Sequence, residues 1–154
     1  MLYFKTIEIT GYDANHIEKG LRRASLKRTS SLDMVSSVSD IGTDKLFIGY
    51  EDKKGLTFTR IKSSLEKFLP KLIIRLFKEE PCAYKIRFAA PAALFFVGVI
   101  CFFLLFIYAF FAGNISGEGL FYFTVFAVAY FLLIKFEIRL TTSRVDKALA
   151  RESN

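Results

Sequence analysis

From Ala89 to Gly113 the chain runs for 25 residues without one charged side chain, AAPAALFFVGVICFFLLFIYAFFAG, and no other feature constrains the fold as much. A Lys, Arg or Asp at the centre of a membrane helix costs about 2.5–3.5 kcal/mol on insertion scales, whereas Leu, Ile, Phe and Val favour insertion. About 20 apolar residues rising 1.5 Å each cross a hydrocarbon core of ~30 Å. A buried helix of a soluble protein is usually shorter and keeps a polar stripe. The run therefore predicts a transmembrane helix over 89–112.

A second run, GLFYFTVFAVAYFLLI from Gly119 to Ile134, is shorter. With Lys135 snorkelling and Phe136 and Ile138 included, it predicts a second span over 119–138. Neither reads as a signal peptide, because a whole domain's worth of chain precedes the first. Between them lie only Gly113 to Glu118, where two glycines supply a helix stop and a turn and Asn114 a polar cap. The spans are then antiparallel neighbours. The sequon Asn114-Ile115-Ser116 carries little weight in a loop that hugs the membrane.

Charge sets the orientation. Lys71, Arg75, Lys78, Lys85 and Arg87 precede the first span, and Lys135, Arg139, Arg144, Lys147 and Arg151 follow the second, while the 113–118 loop has no Lys or Arg. The positive-inside rule then puts both chain ends in the cytoplasm, in a multi-pass protein of the cell (inner) membrane. Residues 1–88 hold 17 Lys or Arg against 11 Asp or Glu, a net +6 that draws this part toward an anionic leaflet. The cations expected at the membrane surface are Lys62, Lys67, Lys71, Arg75, Lys78, Lys85, Arg87, Lys135 and Arg139. Nucleic acid ranks behind lipid as a partner, since no nucleic-acid-reading module is present and juxtamembrane cations already have a topological reason.

Residues 1–80 read as a basic cytosolic α+β head. MLYFKTIEIT suggests a strand over 1–10, and Asp13–Ser25 a short helix with Asp13 as cap and Ile17, Leu21 and Ala24 on one face, weakened by Gly20. A polar loop follows over 26–44. Leu46–Glu51 and Leu56–Ile61 form a hairpin around Asp52-Lys53-Lys54-Gly55. From Ile61 to Phe77 two readings stay open. One is a single basic amphipathic helix. The other, favoured by the break at Pro70, is a short helix at Ser63–Leu69 and a strand at Leu72–Phe77, which would complete a ferredoxin-like split βαβ fold. Residues 81–88 read as a juxtamembrane segment with Tyr84 and Phe88 as interfacial aromatics, and 139–154 as an exposed cytosolic helix or tail.

Candidate chemistry is sparse. His16, the only histidine, stands in a surface helix without a second ligand at metal spacing. Cys82 and Cys101 are ~28 Å apart along a helix, too far to bridge. No phosphate loop or catalytic constellation stands out, so no enzyme, cofactor, metal or small-molecule substrate is expected. The apolar runs 89–113 and 119–134 hold no Asp, Glu, Lys, Arg or His, which disfavours an ion-coupled transporter. Small residues at Ala89, Ala93, Gly98, Ala109 and Gly113 suit close helix packing. Three functions remain: a membrane-anchored interaction or scaffold protein whose head binds a protein partner or its own copies, a small oligomeric pore or membrane-perturbing effector, and an accessory subunit of a larger complex.

Overall fold

Short runs of alternating apolar residues, each ended by a polar or glycine turn, build six strands ahead of two long apolar helices. The computed structural model describes residues 3–28, 31–33, 44–52, 55–80, 82–113 and 116–152. In chain order these form β1 (Lys5–Glu8), α1 (Ala14–Arg23), β2 (Ser25–Arg28), β3 (Phe47–Asp52), β4 (Gly55–Arg60), a 3-10 turn (Leu65–Phe68), β5 (Leu72–Phe77), β6 (Ala83–Phe88), α2 (Ala90–Phe111) and α3 (Gly117–Ala150). The protein is thus α+β, a mixed sheet followed by two helices long and apolar enough to cross a membrane.

The strands lie in the order β1-β6-β5-β4-β3-β2, antiparallel except for the parallel pair β2 and β3. Helix α1 carries the chain across one face from the edge strand β1 to the opposite edge, burying Ile17 and Leu21 on the way. This order is not the split βαβ arrangement. The link between β4 and β5 holds a single 3-10 turn, too short for the crossover that parallel strands require, so β5 returns antiparallel beside β4. The hairpin and the strand at Leu72–Phe77 stand as the sequence indicated. At the hairpin's return, Gly55 has φ +148°, and a Cβ there would come within 2.1 Å of the Leu76 carbonyl oxygen, so only glycine fits.

Two strands fall where the sequence suggested none. Ser25–Arg28 pairs with β3 where the end of the expected helix and the start of the expected polar loop were placed, and residues 29–30 and 34–43 of that loop lie outside the described ones. Ala83–Phe88, expected as a juxtamembrane segment, is a full strand between β1 and β5. Its alternation is plain once seen: Tyr84 and Ile86 point into the core while Lys85 lies on the other side. Tyr84 is therefore a core residue, not an interfacial one. The turn residues Asn114 and Ile115, with the sequon they carry, and Lys53 and Lys54 also lie outside the described residues.

The larger difference is in α3. Past 138 it continues as the helix that the sequence suggested, unbroken over 34 residues, about 51 Å in all. Its last turns do not stand free in solvent, because one face of them is buried. Val145, Ala148 and Leu149 pack on the same sheet face as α1, against a core that includes Phe47, Phe58, Ile74 and Ile86. Burying Val and Leu side chains contributes about 1.5–3 kcal/mol each. Charged contacts close the seam between α1 and the end of α3, where Glu152 meets Lys19 at 3.2 Å and Arg23 at 3.1 Å. His16 Nε2 lies 3.4 Å from the Leu149 carbonyl oxygen, so the lone histidine sits in this seam. The head is hence a composite of the first 88 residues and the last turns of the chain.

On the opposite face a smaller cluster joins Leu32, Ile48, Ile73 and Ala89. Helices α2 and α3 meet through Val99, Ala127, Tyr130 and Ile134, with Phe106 stacked on Phe123 at 4.6 Å between ring centres. Most of their remaining surface faces outward.

Candidate functional site at the junction of sheet and long helices

One end of the sheet is where both long helices meet it first. There β4 ends, the 61–71 link passes, β5 begins and β6 runs into α2; the Ala89 amide donates to the Lys71 carbonyl at 3.0 Å. Helix α3 passes the same end at Glu137, which lies 20 residues beyond the helix start, about 30 Å along it.

Four charged side chains lock this crossing. The Arg60 guanidinium, from the last residue of β4, donates from Nη2 to Glu137 Oε2 at 2.7 Å and from Nε to Oε1 at 3.3 Å. Its Nη1 donates to Glu66 Oε1 at 2.8 Å. Lys62 Nζ stands 3.6 Å from Glu137 Oε1 and donates to the Leu69 and Pro70 carbonyls at 2.7 and 3.1 Å. Arg60 and Glu137 side chains are each 1% exposed and Lys62 is buried beside them, so two cations and one carboxylate meet out of water while the second carboxylate, Glu66, stays partly exposed. Burial opposes the Arg60 charge, but the Glu137 and Glu66 carboxylates outweigh it and hold the guanidinium's pKa above its ordinary value. For Lys62 burial wins, and its ammonium is pulled below the usual lysine range despite Glu137. Burial also opposes the Glu66 charge; the Ser63 amide and Arg60 more than offset it, leaving the carboxyl below its ordinary value.

The arrangement selects one seating of α3. A buried charge that loses its partner costs several kcal/mol. Sliding the helix by one residue turns position 137 through ~100° and takes the carboxylate away from Arg60 and Lys62.

A second clasp holds the start of α2. Arg87 Nη1 and Nη2 donate to Asp33 Oδ1 and Oδ2 at 2.7 and 2.8 Å, a bidentate pair. The same Oδ1 accepts from the Ala90 amide at 3.1 Å, capping the first turn of α2. The Arg87 hydrogen bonds hold the Asp33 carboxyl below its usual range. Next to it the Lys71 ammonium donates to the Leu32 carbonyl, and burial lowers its pKa. Beside this clasp opens an apolar groove of about 700 Å³, lined chiefly by Phe4, Phe88, Ala93, Phe96 and Val97. Stacked rings tie it together, Phe4 on Phe88 at 4.6 Å and Phe88 on Phe96 at 5.2 Å.

The cations expected at a membrane surface therefore divide. Lys67, Lys135 and Arg139 are exposed near the end of the sheet that the long helices meet, whereas Lys78 is exposed at the opposite end, just after β5. Lys85 is half-buried and pairs with Glu80 at 2.9 Å, and Arg75 lies 3.4 Å from Asp52 with its guanidinium over the Phe77 ring. Lys62 and Arg87 are buried inside the two clasps, with Lys71 half-buried beside them. Charge counting had no means of finding their acidic partners, because Glu137 and Asp33 are 75 and 54 residues away in sequence.

Of the small residues, Ala89 is fully buried against the sheet's smaller cluster, and the places of a Cβ on Gly98 and Gly113 are open space. Ala93 lines the groove, and Ala109 is half-buried near the far end of α2. Among the described residues no three His, Cys, Asp or Glu side chains gather as a metal-ligand set. Compared with protein-family models, with curated proteins and with solved structures, the chain finds no match.

Proposed function

We propose that this chain is a bilayer-fixed platform: α2 and α3 cross the membrane as a hairpin, both chain ends lie in the cytoplasm, and the head meets a protein partner or its own copies at the inner surface. The outward faces of the long helices support the embedding. Leu94, Phe102, Leu104, Phe111 and Tyr122 all stand mostly exposed, and only 6% and 17% of the two apolar windows are buried. An apolar surface of that extent has no place in water but matches lipid tails. Exposed Lys135 and Arg139 at the head end of α3, against a connecting turn without cations, support the orientation.

The observation that carries the platform reading is the Arg60–Glu137 clasp, together with the run of α3 into the head core. A head on a flexible tether needs neither. With both, the sheet is held at one height and one rotation relative to the span, which is useful where a partner must be met in a fixed orientation at the membrane. Anchorage alone would not require a buried ionic lock.

The test is the mass of the full chain in lipid discs after cross-linking at its natural abundance. A discrete species heavier than one chain, from added copies or a stable companion, is the expected result. A bare monomer under those conditions would overturn the platform reading.

A further inference from the structure

We propose that the 3-10 turn Leu65–Phe68 is a third membrane contact, inserting Leu65 and Phe68 among the lipids of the cytoplasmic leaflet; this deepens the platform reading and rests on α2 and α3 being embedded. Leu65 is 88% and Phe68 79% exposed, although both are large apolar side chains on a folded turn. The turn is built from within. Glu66 Oε2 accepts from the Ser63 amide at 2.9 Å while its other oxygen holds Arg60, and Lys62 gathers the Leu69 and Pro70 carbonyls. Glu66 and Lys62 thus point inward and fix the backbone with Leu65 and Phe68 outward.

Where the turn sits identifies what covers it. Through Arg60 it is joined to Glu137, where α3 leaves its apolar stretch, and through Lys71 to Ala89, where α2 begins. It therefore stands at the level where both helices meet the head. A scattered exposed leucine needs no explanation. Here the distribution does, because outside α2 and α3 the exposed large apolar side chains among the described residues are Phe4, Leu65 and Phe68. Phe4 also lies at this end, stacked on Phe88. All three project from the single end of the sheet that the spans enter.

Charge agrees with the placement. Lys67 is exposed, with its ammonium 5.2 Å from the centre of the Phe68 ring. An aromatic ring at the headgroup boundary with a cation beside it suits anionic lipid, the lysine snorkelling toward phosphate while the ring enters the acyl region.

The chain has no tryptophan, so a single substitution provides a clean reporter. Phe68→Trp, Phe126→Trp within α3 and Lys78→Trp at the opposite end of the sheet are each placed in vesicles containing anionic lipid, with or without acyl-brominated lipid. The expected result is blue-shifted emission from Phe68→Trp that brominated lipid quenches, with Phe126→Trp quenched as well and Lys78→Trp open to aqueous acrylamide. If Phe126→Trp is quenched by lipid but Phe68→Trp emits as in water, this inference fails and the embedded hairpin stands. Blue-shifted emission from Phe68→Trp without lipid quenching means that protein covers the turn, which overturns it too. If Phe126→Trp itself is quenched only from water, the hairpin reading falls and takes this one with it.

Discussion

Arg60 and Glu137, 77 residues apart in sequence, meet at 2.7 Å with neither side chain reaching solvent. One closes a central strand and the other marks where a long apolar helix becomes part of the head, so this pair joins the two halves of the molecule.

Glu137→Leu leaves Arg60 and Lys62 buried with only Glu66 to balance them, a change expected to cost about 3–5 kcal/mol. Glu66→Ala removes a partly exposed partner and should cost about 1 kcal/mol or less. Replacing Arg60 and Glu137 together by Met and Leu should cost less than the sum of the two single changes, because no lone charge remains. Thermal unfolding of the full chain in detergent, followed by near-ultraviolet dichroism of the head, checks the order.

Leu149 closes the head core from the far end of the chain, so Leu149→Ala should destabilise the head by about 2–5 kcal/mol. Ending the chain after Thr142 removes Val145, Ala148 and Leu149 together and should leave α1 without its neighbour. The fragment 1–80 also lacks β6 and should not fold, whereas residues 3–88 joined to a separate 137–152 peptide should recover native dichroism. Protection of α1 amides from hydrogen exchange reports each outcome.

The Asp33 carboxyl has a lowered pKa in the folded state, so its contribution is complete above the unfolded value near 3.8 and is lost as the pH falls below it. Asp33→Asn should cost about 1–3 kcal/mol at neutral pH, since Arg87 stays buried and loses its anionic partner. The variant should also show a flatter acid limb than the parent as the pH falls through 3.8 and below. Unfolding midpoints at neutral pH and along that acid limb measure the two effects, and parallel acid limbs would contradict the assignment.

The parts of this fold visible in the sequence are those that depend on local pattern. Uncharged runs gave the two long helices, alternation gave the hairpin, and the break at Pro70 favoured a strand over a continuous helix at β5. What escaped depends on pairing at a distance. The AYKIRF segment alternates as clearly as any strand, yet its nearness to the apolar run invited an interfacial reading of Tyr84. The end of α3 carries Val145, Ala148 and Leu149 at helical spacing, but cations between them made an exposed tail equally plausible until α1 supplied the opposing face. Lys62 and Arg87 counted as two surface charges, although each belongs to a buried pair, because net charge carries no information about partners. The 3-10 turn was anticipated only as a short helix, and the exposure of Leu65 and Phe68 was not visible without the sheet behind them.

Everything proposed for the head depends on α2 and α3 lying in lipid, and the two native cysteines test this directly. Cys82 stands exposed just before β6 and Cys101 midway along α2. With the full chain in sealed membranes, a membrane-impermeant maleimide should spare both when only the outer face is accessible. After the cytoplasmic face is opened it should label Cys82 while Cys101 stays protected. Labelling of Cys101 as fast as Cys82 would show α2 in water and contradict the membrane hairpin, and labelling of Cys82 from outside would reverse its orientation.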